Sequence, residues 1–113
     1  MRLYVAGPVT GRKNFNQGVF EEAKKQLEKA GHEVIIPHDY VEKDMDWATA
    51  MRVSLTLLLR CEGVALLPDW QTSKGASIEW GVAFDLGIPS KIVNEWIYAK
   101  EKDKTEELFY KYD

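Results

Sequence analysis

The chain has 113 residues, 45% of them hydrophobic, which suits a single compact domain over residues 1–113 with one core. The formal net charge of −3 argues against binding to a DNA or RNA polymer. No apolar run reaches the roughly 18 residues that a membrane helix needs, so we expect no membrane partner. Cys61 is the single cysteine and cannot form an internal disulfide, so we expect a cytoplasmic protein. With only two histidines, the composition also argues against a structural zinc site.

The first half of the chain alternates strand and helix patterns. A short apolar strand is predicted over residues 2–7, and a loop with two glycines and a proline follows over residues 7–14. Residues 16–30 repeat apolar positions at helical spacing, and Gly31 ends this predicted helix. A second strand is predicted over residues 32–37, where a proline closes it.

The second half continues the alternation. Residues 38–46 are predicted to form an acidic loop, with Asp46 as the N-cap of a second helix over residues 47–61. An almost continuous apolar run predicts a third strand over residues 63–68, covered on both faces. The remaining predicted elements are a loop over 69–74, a helix over 75–87, a strand within 88–94, and a last helix in the charged tail that docks through Leu108, Phe109 and Tyr112.

Strands that alternate with helices favour a parallel sheet with right-handed crossovers. We therefore expect an α/β protein with a flavodoxin-like, doubly wound parallel sheet of four to five strands. Ligands bind such sheets at the carboxyl ends of the strands. Three predicted loops converge at that edge, over residues 7–14, 37–46 and 68–75.

The first of these loops has a composition suited to holding a phosphate group. Gly7 and Gly11 allow the backbone to approach a ligand closely, Thr10 offers a hydroxyl, and Arg12 offers a charge. The loop matches neither the Walker A pattern nor the dinucleotide-binding glycine pattern. An ordinary turn between strand and helix explains it equally well.

The third loop places Ser73, Gly75 and Ser77 at the start of a helix, where free N–H groups and the helix dipole favour an anion. Simple capping of that helix by Ser73 is the alternative. Trp70, in the same loop, can stack on a nucleobase or belong to the core.

Glu79 falls on the predicted apolar seam of the third helix. The seam runs through Val82, Ala83 and Leu86, and one turn earlier it reaches Glu79. A carboxylate at a buried position has to be partnered or reactive, because burial of an unpaired charge is costly. The alternative is that Glu79 only complements the helix dipole at the surface.

Four segments together resemble the nucleoside 2-deoxyribosyltransferase-like superfamily. They are a first strand ending in YVAGP, the loop TGRKN, a strand ending in LLPDW, and the segment SKGASIEWGVA. Within that superfamily the sequence resembles a small phage and bacterial group described as a domain of unknown function, DUF4406. The resemblance covers residues 2–94, and the element from Ser73 to Glu79 is its most specific part.

This resemblance implies hydrolysis or transfer at the N-glycosidic bond of a nucleoside 5′-monophosphate, without a metal or organic cofactor. Glu79 matches the superfamily's nucleophile, which attacks C1′ to form a covalent glycosyl-enzyme, and Tyr4 matches the tyrosine that positions it. Such a nucleophile has to be ionised yet poorly solvated, and we expect the helix N-terminus to lower its pKa. Members that act on monophosphates carry a serine six residues before the nucleophile and a glycine-rich first loop, which implies a phosphate site made by Gly7, Pro8, Thr10, Gly11, Arg12, Ser73, Gly75 and Ser77.

One position departs from the superfamily pattern. The transferases use an aspartate on the second helix to help protonate the leaving base, and Ser54 stands at the matching position. Because a serine is a poor acid at neutral pH, either the acidic loop assists the leaving base or activity is weak or lost. The residues considered for the base side are Ser54, Trp70 and the loop carboxylates Asp39, Asp44 and Asp46.

Two other functions fit the same residues: a non-catalytic module that senses or sequesters a nucleotide, and a glutamate-dependent hydrolase of NAD-type dinucleotides. In each case the partner is a small nucleotide. The superfamily completes its site across subunits. Aromatic residues on the second and third helices therefore predict a homodimer or a higher homo-oligomer with an isologous interface.

Overall fold

The alternating strands and helices form a four-stranded parallel sheet flanked by helices. A computed structural model describes residues 1–98 and gives strands β1 (Arg2–Ala6), β2 (Glu33–Ile35), β3 (Gly63–Leu66) and β4 (Ser90–Ile92). The helices between them are α1 (Gln17–Lys29), α2 (Trp47–Leu58) and α3 (Lys74–Asp85). Residues 93–98 are also helical, whereas the predicted docking of Leu108, Phe109 and Tyr112 lies outside the described residues.

The strand order is β2-β1-β3-β4, and every neighbouring pair is parallel. The predicted flavodoxin-like fold is therefore confirmed, with four strands. The longest register joins β1 to β3, from Leu3 opposite Gly63 to Ala6 opposite Leu66. The order of the strands reverses between β1 and β3, and this is where doubly wound sheets open a crevice for ligands.

The two faces of the sheet have separate cores, because alternate residues of β1 point to opposite sides. Leu3 and Val5 pack with α1 on one face, together with Trp96 from the last helical segment. Tyr4 and Ala6 point to the other face, where they meet buried residues of α2 and α3. All four residues of β3 are buried, as the apolar run predicted. Tyr4 is therefore directed at the face that also carries Glu79.

The buried seam of α3 differs in part from the predicted one. The buried residues are Ala76, Glu79 and Ala83, so Glu79 does lie on the inner face of the helix. Leu86 is 61% exposed because α3 ends at Asp85 and the chain then turns through Gly87, which has a φ of 72°. No helix of the described part of the chain is long and apolar enough to cross a membrane.

Candidate active site

A cleft of about 760 Å³ opens at the carboxyl-terminal edge of the sheet. Its walls are the loop after β1, the loop after β2, and the N-terminal parts of α2 and α3. The three loops that the sequence placed at this edge all contribute. The volume lies within the range of about 300–1,000 Å³ that is typical of small-molecule sites.

Glu79 lies at the base of this cleft, in the second turn of α3, with a side chain that is 5% exposed. Its Oε2 accepts a hydrogen bond from the hydroxyl group of Tyr4 on β1. Tyr4 is itself 1% exposed and also lines the cleft. The carboxylate is thus desolvated and held by one neutral donor.

Burial raises the pKa of Glu79 to about 7, and the hydrogen bond from Tyr4 opposes that rise. The prediction of a lowered pKa was wrong, because loss of water outweighs the stabilisation that the Tyr4 phenol provides. Burial raises the pKa of Tyr4 well above its usual value, and the neighbouring Glu79 charge adds to this. Tyr4 therefore remains protonated and acts as a donor.

Ser54 extends this pair into a buried polar cluster of three residues. It lies on the inner face of α2 and is 6% exposed. Its hydroxyl forms a hydrogen bond with Tyr4 that lowers the pKa of the phenol, against the effect of burial. Ser54, Tyr4 and Glu79 come from three different elements, so only the folded chain brings them together.

The loop after β1 supplies four of the predicted phosphate-binding residues to the cleft wall: Gly7, Pro8, Thr10 and Arg12. A side chain at Gly7 would not fit, because its Cβ atom would lie 2.8 Å from the side chain of Leu67. Gly11 does not line the cleft. It lies in an exposed turn, where its φ is 79°. Arg12 Nη2 lies 3.9 Å from Asp69 Oδ2, which links the loops after β1 and β3.

The start of α3 supplies Ser73 and Gly75 to the cleft. Ser73 is the N-cap, and its Oγ accepts a hydrogen bond of 3.2 Å from the Ala76 N–H. The N–H groups of Lys74 and Gly75 precede the first intrahelical bonds and are available to an anion. Ser77 does not line the cleft, because its hydroxyl points away and donates to the Gln71 carbonyl at 3.4 Å.

Residues 1–92 match the family described as Domain of unknown function (DUF4406). The chain belongs to this family. Among solved structures, it is similar to a 2-deoxyribosyltransferase from the psychrotolerant bacterium Bacillus psychrosaccharolyticus, at 18% identity and a TM-score of 0.61. The alignment covers 80% of this chain and 69% of the other, and it supports the fold. No curated protein shows a significant sequence match.

Of the residues considered for the base side of this DUF4406 protein, Ser54 lines the cleft and four do not: Asp39, Asp44, Asp46 and Trp70. Asp39 forms an ion pair with Lys24 of α1, with an Nζ to Oδ2 distance of 3.0 Å. Trp70 packs against Trp80, with ring centroids 5.6 Å apart, and so belongs to the core beside α3. Asp46 is the N-cap of α2, as predicted, and its Oδ1 accepts from the Thr49 N–H at 2.8 Å.

Sequence reasoning missed several residues that do line the cleft. Lys74 Nζ lies 4.5 Å from the ring centroid of Trp47, so the first residues of α2 and α3 meet across the cleft. Glu42 comes from the loop after β2, in which only the aspartates were predicted to serve the leaving base. Their positions could have predicted this, because the loop after β2 and the first residues of α2 and α3 all lie at the ligand-binding edge of the sheet.

The walls after β1 and β2 also contact each other. His38 Nε2 donates to the Phe15 carbonyl at 2.8 Å. Phe15 lies between Asn14 and Asn16 in a run of three residues with positive φ, from 49° to 60°. Asn16 supports this left-handed run by donating from Nδ2 to the Pro8 carbonyl at 2.9 Å. No group of three or more metal-ligating side chains is found within residues 1–98.

Proposed function

We propose that this protein cleaves the N-glycosidic bond of a nucleoside 5′-monophosphate, with Glu79 as the nucleophile. The observation that carries the proposal is the buried Glu79 carboxylate at the base of the cleft, hydrogen-bonded to Tyr4. The fold is similar to that of an enzyme described as a 2-deoxyribosyltransferase, which is consistent with glycosyl chemistry.

In the first step, a Glu79 carboxylate oxygen attacks C1′ while the bond from C1′ to the base nitrogen breaks. The electron pair of that bond leaves with the base, which takes up a proton from solvent. In the second step, water or the nitrogen of another base attacks C1′, the bond from C1′ to the Glu79 oxygen breaks, and the attacking group loses a proton to solvent. Water gives hydrolysis, and a second base gives transfer.

The surroundings of Glu79 suit both steps. A carboxylate with a pKa of about 7 is partly ionised at neutral pH, and poor solvation leaves it more reactive than a surface glutamate. The negative charge also stabilises the positive charge that develops on the sugar ring. Tyr4 fixes the orientation of the carboxylate and stays protonated throughout.

The phosphate group is assigned to the end of the cleft formed by the loop after β1 and the start of α3. Thr10, Arg12 and Ser73 line that end together with Lys74 and Gly75, whose backbone N–H groups at the start of α3 are available to an anion. A phosphate held there places the sugar near Glu79, one helical turn further along α3. Binding of this remote group therefore orients C1′ for attack.

The test measures the release of free base from a panel of ribo- and deoxyribonucleoside monophosphates. Chromatography detects the free base. We expect release by the wild-type protein and none by Glu79→Gln, which keeps the size of the side chain but cannot attack. Glu28→Gln, on the exposed face of α1, is the matched control and should behave as wild type. Release that persists in Glu79→Gln would refute the role of Glu79.

One observation favours a second function, a nucleotide-binding module without catalysis. Ser54 is engaged with Tyr4 and stands where the superfamily carries an acid, so α2 offers the leaving base no strong proton donor. Tight binding of a monophosphate without base release, unaffected by Glu79→Gln, would support that function. Release of nicotinamide from NAD would instead indicate a dinucleotide hydrolase.

The proposal includes a homodimer or higher homo-oligomer. Trp80 and Phe84 stack on α3 with ring centroids 5.3 Å apart, and Phe84 is 68% exposed. Leu86 continues this apolar surface at 61% exposure. A stacked aromatic surface on one helix can pair with the same surface of a second copy.

A further inference from the structure

Resting on the proposed function, we infer that Glu42 selects the nucleobase and favours bases with an exocyclic amino group over their oxo counterparts. Glu42 comes from the loop after β2 and lines the same cleft as Glu79. Among the residues that line the cleft, Glu42 and Glu79 are the two carboxylates. Glu79 is buried at the bottom of the cleft, whereas Glu42 is exposed and lies at the entrance.

The other acidic residues of this loop do not compete for the role. Asp39 is paired with Lys24, Asp46 caps α2, and Asp44 is exposed and does not line the cleft. The ion pairs found within residues 1–98 do not include Glu42. Its carboxylate is therefore available to a ligand.

The backbone of the loop after β2 holds Glu42 in place. The Glu42 carbonyl accepts from the Met45 N–H at 3.2 Å, and the preceding Val41 N–H donates to the Pro37 carbonyl at 2.8 Å. Lys43 reaches the opposite wall, where its Nζ lies 3.4 Å from Asn14 Oδ1. This neighbouring cation is thus directed across the cleft to the loop after β1.

The location of Glu42 matches the base and not the phosphate. The phosphate-binding residues come from the loop after β1 and from α3, and Glu79 marks the position of C1′. The wall that remains is the loop after β2 with the start of α2, and its lining is mainly apolar: Val41, Met45, Trp47, Ala50 and Met51. A flat, largely apolar nucleobase fits this wall. Glu42 provides the carboxylate of the wall.

A carboxylate accepts hydrogen bonds and cannot donate them when ionised. The amino groups of cytosine, adenine and guanine are donors, and a charge-assisted bond to one of them is strong beside apolar side chains. Uracil carries a carbonyl oxygen at the ring position where cytosine carries its amino group. Hypoxanthine carries one where adenine carries its amino group. That oxygen would face the carboxylate with no proton between them, which leaves a polar group unpaired.

The test uses two matched pairs of substrates, CMP against UMP and AMP against IMP, which differ in the amino or oxo group and in the proton on the adjacent ring nitrogen. We expect the amino member of each pair to have a kcat/KM at least about tenfold higher. In Glu42→Gln the ratio should fall towards one, since an amide can donate as well as accept. Asp44→Asn removes the same charge from the same loop outside the cleft, and it should keep the wild-type ratio.

Binding to the Glu79→Gln protein, measured by calorimetry, separates this inference from the proposed reaction. Preference for CMP over UMP that disappears on adding Glu42→Gln supports the inference, even where no base is released. Base release with a ratio that Glu42→Gln leaves unchanged overturns the inference and leaves the reaction standing. Equal binding of the amino and oxo nucleotides, or binding of neither, also overturns it.

Discussion

The Glu79 carboxylate is buried against a neutral hydroxyl and without a paired cation, and this determines how it responds to pH. Two influences act on its pKa: burial, which raises it, and the Tyr4 hydrogen bond, which lowers it. A cation in place of Tyr4 would keep the carboxylate ionised but would also attract it away from a sugar carbon. In the observed arrangement the Glu79 carboxyl group ionises near neutral pH, and the resulting carboxylate has few competing partners.

The pH dependence of base release should report this ionisation directly. Because the attacking form is the carboxylate, kcat/KM should rise about tenfold per pH unit below a midpoint near 7 and level off above it. In Tyr4→Phe the hydrogen bond that lowers the Glu79 pKa is absent, so the midpoint should move upward. A steady-state profile from pH 5 to 9 for both proteins measures this. An unchanged midpoint would contradict the role of Tyr4.

The same ionisation should appear in the free energy of unfolding. The pKa of Glu79 is about 7 in the folded protein against an ordinary value of 4.5, so the folded state holds a proton that the unfolded state releases between these values. The stability due to this group is therefore complete below pH 4.5 and is lost as pH rises through 7. At about 1.4 kcal/mol per pKa unit, the loss amounts to roughly 3 kcal/mol.

Glu79→Gln removes this loss, because an amide does not ionise. We expect the variant to gain stability relative to wild type between pH 5 and pH 8, with the difference approaching roughly 3 kcal/mol. Urea unfolding at the two pH values measures it, and Glu28→Gln on exposed α1 should show no such gain. If the difference between Glu79→Gln and wild type is the same at both pH values, Glu79 is not a buried titrating group.

At the scale of elements, α2 and α3 begin at the cleft with the same kind of cap but different neighbours. Ser73 Oγ accepts from the Ala76 N–H, and Asp46 Oδ1 accepts from the Thr49 N–H. Ser73 lines the cleft and Asp46 does not. The two caps therefore form a matched pair that separates the stability of a helix from the binding of a phosphate.

We expect Ser73→Ala and Asp46→Ala each to lower the free energy of unfolding by about 1 kcal/mol, since each removes an N-cap. Only Ser73→Ala should weaken binding of a nucleoside monophosphate, because a hydroxyl is lost from the proposed phosphate site. The two Kd values for a monophosphate and for its free nucleoside, measured on both variants, test this. Equal weakening by the two variants would assign Ser73 to capping alone.

Much of the element plan could be predicted from the sequence, because local patterns determine it. The apolar run of β3 predicted a strand buried on both faces, and the four strands alternate with helices as expected. Glu79 was found because a charge on an apolar seam conflicts with its helical period. The end of α3 was placed too late, since Leu86 is apolar yet follows the last helical residue.

The site itself depends on contacts between elements, which no local pattern reveals. The hydrogen bond between Ser54 and Tyr4 joins α2 to β1, and no local pattern predicts it. Asp39 and Glu42 are both acidic residues of one loop, yet the first is directed to Lys24 and the second to the cleft. The loop path decides between them, and that path follows from packing of the whole domain.

For the whole molecule, the exposed aromatic surface of α3 leads to a prediction about assembly. Phe84 is 68% exposed while stacking on Trp80, and exposure of such a surface to water is unfavourable. We expect sedimentation at micromolar concentration to show at least a dimer, and Phe84→Glu to shift it towards monomer by placing like charges opposite each other. Val19→Glu adds the same charge at an exposed apolar position of α1 and should leave the assembly intact. A wild-type protein that sediments only as a monomer would contradict the assembly and leave Glu79 to act within one chain.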